Sequence, residues 1–138
     1  METSSPVIFL AVVLVAAVVL LVLLGNLKPK RKLDHALFRQ RWQRIESLKN
    51  GNEAEWHLAV FEADKLLDEA LKSRGFRGKT MGDRLKNARK NLAHNNDVWQ
   101  AHKLRNRLAH EAGVTLHQSQ VNNALHGFEA GLKDLGAL

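Results

Sequence analysis

Apolar and polar positions divide this chain into two unlike parts. Residues 7–24, VIFLAVVLVAAVVLLVLL, carry no polar side chain. Beyond residue 33 no stretch alternates apolar and polar positions; apolar residues recur at three- and four-residue intervals, the period of an α-helix. Asp34 caps a first predicted helix with inward positions Leu37, Phe38, Trp42, Ile45 and Leu48, ended by Gly51. Asn52 with Glu55 forms a capping box for a second, whose Trp56, Ala59, Val60, Ala63, Leu66, Leu67, Ala70 and Leu71 make an uninterrupted stripe. Thr80 with Asp83 opens a third through about Ala93. A fourth runs from Val98 to about Glu111, capped within residues 95–97 and stopped by Gly113. Thr115 with Gln118 starts the last, with Val121, Leu125, Phe128, Leu132 and Leu135 inward. Short loops favour antiparallel neighbours, so the fold class is all-α, a bundle of four or five helices over residues 34–138.

The first part reads as a single membrane-spanning helix, residues 7–25, after a short tail of residues 1–6. Fifteen of the eighteen residues 7–24 are Leu, Ile, Phe or Val; at about −0.3 to −0.6 kcal/mol each, insertion into a bilayer is favourable by several kcal/mol. Their helical length is about 27 Å, against a hydrocarbon core of about 30 Å. A cleaved signal peptide fits less well, because no cation precedes the run and no A-x-A site follows it. Residues 26–33 form a basic juxtamembrane linker with Lys28, Lys30, Arg31 and Lys32, interrupted by Pro29. The excess of cations after the span predicts an outside N-terminus and a cytoplasmic bundle close to the bilayer. The cluster reads first as a stop-transfer signal and second as a contact for anionic lipid or RNA.

Charge narrows the partners. The net charge is +7, which points to an anionic partner such as nucleic acid or anionic lipid. Residues 28–49 hold eight Lys/Arg against Asp34 and Glu46. With no cysteine, disulfides and thiolate metal sites are excluded, and the seven histidines show no zinc-ligand spacing. Neither a metal nor a cofactor is expected. SRGFRGKT, residues 73–80, approaches the phosphate-loop pattern, but Ser73 replaces its first glycine and a helix rather than a strand precedes it. Gly75 and Gly78 therefore read as helix-stop and turn residues.

The chemistry-bearing stretch is AHKLRNRLAHE, residues 101–111. On a helix, Val98, Ala101, Leu104 and Leu108 share one face, and His102, Arg105, Asn106, Ala109 and His110 share another. An arginine can hold a phosphate by paired hydrogen bonds and stabilise its transition state; a histidine can move the proton of a 2′-hydroxyl or a leaving oxygen; an asparagine can orient either. His102, Lys103 and Arg107 are candidates for nucleic-acid contacts beside Arg105, Asn106 and His110. Ten arginines and seven histidines give roughly 0.5 chance occurrences of R-x-x-x-x-H, and Arg89 to His94 is a second copy. Requiring Asn, Asp or His directly after the arginine lowers this to roughly 0.08 and leaves only RNRLAH. On residues alone, a solvated helix face and a phosphate site both stay open. Trp42 and Trp56 lie on apolar stripes and read as core; Trp99 is open between core packing and base stacking.

A bundle whose penultimate helix ends in LRNRLAHE, with WHLAVFEADKLLDEAL and TMGDRL before it, resembles the HEPN family over about residues 34–136. The resemblance implies an R-x4-6-H motif with a polar residue after the arginine, metal-independent cleavage of RNA, and a homodimer that joins two motifs in one site. It also implies that some members serve as non-catalytic modules that dimerise or bind RNA or a protein. By position, Arg105 would bind and stabilise the phosphate, Asn106 would orient it and His110 would be the acid–base residue. Two features depart from the family's toxins: Ala112 stands where a tyrosine often follows the histidine, and there is a membrane anchor. The expected partners are the lipid bilayer through residues 7–24, a second copy of the chain, RNA, and an unidentified protein.

Overall fold

The computed structural model describes residues 4–25 and 32–138. Residues 1–3 of the tail and 26–31 of the basic linker, with Lys28, Pro29, Lys30 and Arg31, lie outside the described residues. Among the described residues six α-helices follow one another: α1 Ser4–Gly25, α2 His35–Leu48, α3 Glu53–Ser73, α4 Met81–Ala88, α5 Asn95–His110 and α6 Gln118–Asp134. A 3₁₀ turn, Arg89–Asn91, follows α4, and no strand occurs among the described residues. Residues 6–25 of α1 are exposed on every side. At 22 residues, or about 33 Å, α1 is long and apolar enough to cross a membrane. Its backbone groups bond within the helix, as hydrocarbon demands.

The other five helices close around one core, with α3 in contact with α2, α4, α5 and α6. Val60, Ala63, Leu66, Leu67 and Leu71 of α3 are fully buried, as are Leu85 of α4, Val98 of α5 and Val121, Phe128 and Leu132 of α6. Each such Leu, Val or Phe contributes on the order of 1.5–3 kcal/mol by leaving water. Small residues set the approach of α5 to α6: a Cβ on Gly127 would stand 2.5 Å from the Asp97 carbonyl oxygen, and one on Gly131 would stand 2.8 Å from Val98 Cγ2. The C-terminus is tied down by Arg74, whose Nε donates to the Leu135 carbonyl at 2.6 Å while Nη2 donates to that of Gly136 at 3.1 Å.

The caps follow the sequence at three helix starts. Asp34 accepts from Leu37 N–H, and both the Asn52–Glu55 and Thr80–Asp83 boxes close. Gly75 stops α3 in the left-handed conformation (φ 86°), with Phe76 N–H donating to the Leu71 carbonyl. So SRGFRGKT is a helix stop and a turn between two helices.

Elsewhere tertiary structure overrides local signals. The third helix ends at Ala88 rather than Ala93, because Leu92 turns into the core through the 3₁₀ turn. The start of α5 is held from outside: Asp134 accepts from His94 N–H at 2.9 Å and faces the His94 ring, instead of a cap within residues 95–97. A carboxylate there also meets the positive end of the helix. The last helix opens at Gln118, where the Gln120 side chain accepts from His117 N–H; Thr115 is not its cap. Leu37 faces outward, and Leu104 and Leu108 are only half-buried. Trp56 spans the α2–α3 turn, its Nε1 donating to the Lys49 carbonyl at 3.0 Å. Trp42 is buried as expected.

Candidate functional site

Helices α3, α4 and α5 enclose an open cleft of about 840 Å³. The α5 wall presents Trp99, His102, Arg105, Asn106 and His110; Phe61, Asp64, Lys65 and Asp68 come from α3, and Gly82, Arg84 and Lys86 from α4. Thus Arg105, Asn106 and His110 share one concavity, His110 lying five and four residues beyond the adjacent Arg105 and Asn106 on one helix. Lys103 and Arg107 are exposed on α5 and do not line the cleft; Arg107 pairs with Glu111 at 3.6 Å.

His102 differs from its place in the expected wet stripe, for it is buried with only 8% of its side chain exposed. Its Nδ1 lies 2.7 Å from Oδ1 of Asp64, itself 6% exposed. On the other side, Asn106 Nδ2 lies 3.2 Å from His102 Nε2, and Asn106 Oδ1 accepts from Arg105 Nη1 at 3.2 Å. Amide nitrogen donates only, so Nε2 is the acceptor and Nδ1 carries the proton toward Asp64. The resulting chain runs Arg105 to Asn106 to His102 to Asp64, each donating to the next.

Arg105 closes the circuit. Its Nε stands 3.2 Å from Asp64 Oδ2, an ion pair whose angle is not that of a hydrogen bond, so this buried N–H has no hydrogen-bond partner. The guanidinium also lies over the Phe61 ring, 5.1 Å from its centroid, a cation–π contact. Phe61, Asp64 and Asn106 therefore hold it on three sides while about a third of the side chain stays exposed. Trp99 packs edge-on to His102 at 5.9 Å and is half-buried in the cleft wall. His110 is exposed at the rim and makes no hydrogen bond or ion pair among the described residues.

A second charge pair builds the α3–α4 wall. Arg84 Nε and Nη2 donate to the two oxygens of Asp68 at 2.7 and 2.9 Å, and Nη1 donates to the Gly78 carbonyl at 2.6 Å. Burial pushes the Asp68 carboxyl up, but hydrogen bonds and charge from Arg84 and Lys72 outweigh it and hold the group below the usual carboxylate range. Among the described residues no three His, Asp or Glu side chains gather in a way that would hold a metal ion. Asp64 is the member of the site that the sequence reading passed over. Its signal was present: an acid between Val60 and Leu67 on the stripe that the rest of α3 fills with apolar residues.

No family model, curated protein or solved structure matches the chain.

Proposed function

We propose that the chain is a membrane-anchored, HEPN-like domain that binds RNA and cleaves it without metal, using Arg105, Asn106 and His110. In this reading α1 spans the bilayer with the N-terminus outside, and the bundle faces the cytoplasm as a homodimer. The observation that carries it is the convergence of Arg105, Asn106 and His110 on one open cleft, with the guanidinium fixed by Asp64 and Asn106. The exposed edge of Arg105 takes the phosphate oxygens. An RNA 2′-hydroxyl attacks the adjacent phosphorus, the bond to the 5′-oxygen breaks, and a cyclic phosphate and a 5′-hydroxyl result. His110 moves a proton at one of these oxygens, while Arg105 stabilises the added charge of the pentacoordinate transition state. Asn106 keeps Arg105 in register.

One observation favours a second reading, a non-catalytic module for dimerisation or for binding RNA or a protein. The pairing of Arg105 with Asp64 offsets part of the charge a phosphate would meet. The test is RNA cleavage by the full chain in detergent micelles, in chelator, against Arg105→Ala and His110→Ala. The nuclease reading expects cleavage by wild type alone. Cleavage that persists in both variants, or is absent from folded wild type, removes it; RNA binding without cleavage selects the module.

A further inference from the structure

Beyond the linker, positive charge is densest in one segment; residues 34–49 hold only four Lys/Arg against Asp34 and Glu46. Residues 50–76 hold three Lys/Arg against six acids, and residues 91–138 hold four against four. Residues 77–90 hold six Lys/Arg against Asp83 alone, a net of +5 in fourteen positions. This segment is the α3–α4 loop, α4 and the 3₁₀ turn, and it forms one wall of the cleft. Arg84 faces inward and is spent on Asp68 and Gly78. Lys79, Lys86, Arg89 and Lys90 are exposed, and no carboxylate lies within ion-pair distance of them among the described residues. Lys86 lies on the cleft wall itself; Arg89 and Lys90 follow it at three and four residues, a turn farther along. Asn87 Nδ2 donates to the Arg77 carbonyl at 2.7 Å, so the loop and α4 form one body.

We infer that the outer face of residues 77–90 is a phosphate track that leads a single strand of RNA into the cleft. It rests on the reading of that cleft as an RNA site and adds the path and strandedness of the substrate. Lys86, Arg89 and Lys90 lie within five positions with only Asp83 nearby to offset them, and a sugar–phosphate backbone supplies evenly spaced negative charge. The track ends at a cleft whose wall carries the half-buried ring of Trp99, while Phe61 already carries the Arg105 guanidinium. A basic path joined to an aromatic platform is what unpaired nucleotides require, because their bases are free to stack while the backbone follows the charge. A duplex keeps its bases stacked inside and cannot use Trp99.

The test measures binding separately from cleavage. The full chain in nanodiscs of phosphatidylcholine is titrated into labelled 2′-O-methyl RNA of about 20 nucleotides, which is blocked against 2′-hydroxyl attack. Lys86→Gln/Arg89→Gln/Lys90→Gln is compared with Arg39→Gln/Arg44→Gln/Lys133→Gln, which removes equal charge elsewhere. The track predicts that the first variant lowers the slope of log affinity against log salt by about 2, at roughly 0.7 per phosphate released from a single strand. The second variant keeps the wild-type slope. Trp99→Leu weakens the single strand by roughly 5- to 150-fold, the span of one lost stack, while Trp99→Phe retains most of it. Equal slopes in the two triple variants overturn the track, as does a wild type that prefers duplex RNA or binds no RNA. An unchanged slope together with lost adhesion to phosphatidylserine bilayers assigns the segment to lipid instead. Loss of cleavage in wild type with binding as predicted overturns the nuclease reading and leaves the track standing.

Discussion

His102 Nδ1 and Asp64 Oδ1 stand 2.7 Å apart with both side chains nearly sealed from water, and this contact orders the α5 wall of the cleft. It sets which ring nitrogen carries the proton, hence which end of the Asn106 amide faces Arg105. The second oxygen of the same carboxylate meets the guanidinium directly. Asp64 thus acts at both ends of the chain, as a positioning residue rather than one that would touch substrate.

Replacement of Asp64 by Ala strands a buried imidazole N–H and the guanidinium of Arg105. A buried donor left without its partner costs about 1–3 kcal/mol, so urea denaturation of the variant should show a midpoint lowered by that amount. Asp64→Asn recovers part of the loss, because its amide oxygen still accepts from His102. Asp64→Ala with wild-type stability would mean that the network contributes nothing to folding.

The Arg84–Asp68 pair makes stability depend on pH in one direction. The folded-state carboxyl sits below its unfolded value, so the unfolded chain binds more protons through the carboxylate range, and stability rises with pH there. The contribution is complete above the unfolded value near 4 and fades as pH falls through the lower folded one. Thermal melts between pH 7 and pH 2.5 should show this acid limb, and Asp68→Asn should flatten it while lowering stability at neutral pH. Asp83, half-buried and also held low, first by the backbone N–H and hydroxyl of Thr80, adds to the same limb and remains in the variant. An acid limb unchanged in Asp68→Asn would contradict the assignment.

Much of this fold was legible because it rests on local rules. The Asn52–Glu55 and Thr80–Asp83 boxes, the Gly75 stop and the α3 stripe each need only residues a few positions apart, and all four are in place. What the chain alone could not disclose depends on distant partners. Asp134 takes over the start of α5 from 40 residues away. His102 left the wet stripe because Asp64, 38 residues earlier, waits beneath it. The site was legible in the same proportion: helical spacing put Arg105, Asn106 and His110 on one face, whereas the acid that holds Arg105 came from another helix. Lys103 and Arg107 were grouped with them by proximity in the chain, and the 100° turn per residue carries them off the cleft wall.

The close crossing of α5 on α6 depends on two hydrogens. Gly127→Ala would drive a methyl into the Asp97 carbonyl, which is backbone and cannot rotate away. Gly131→Ala meets Val98 Cγ2 at 2.8 Å and Leu67 Cδ1 at 3.3 Å, side chains that can shift. Overpacking costs about 1–3 kcal/mol, partly offset in a helix interior by up to about 1 kcal/mol of improved propensity. Both variants should melt below wild type, with Gly127→Ala the lower. The reverse order would place the tighter contact at Gly131.

His110 separates function from folding. It is exposed at the cleft rim, so its loss uncovers no core and leaves no buried partner unsatisfied. His110→Ala should therefore hold its stability within about 0.5 kcal/mol of wild type. RNA cleavage should fall by about 10²-fold or more, the usual size of a lost acid–base group. Arg105→Lys should fail differently: an ammonium cannot span Asn106, Asp64 and a phosphate at once, so RNA affinity and cleavage drop together. Denaturation and cleavage assays on the same samples read both quantities. A His110→Ala protein that unfolds early would recast that imidazole as structural, and one that cuts at the wild-type rate would move the proton transfer to another group.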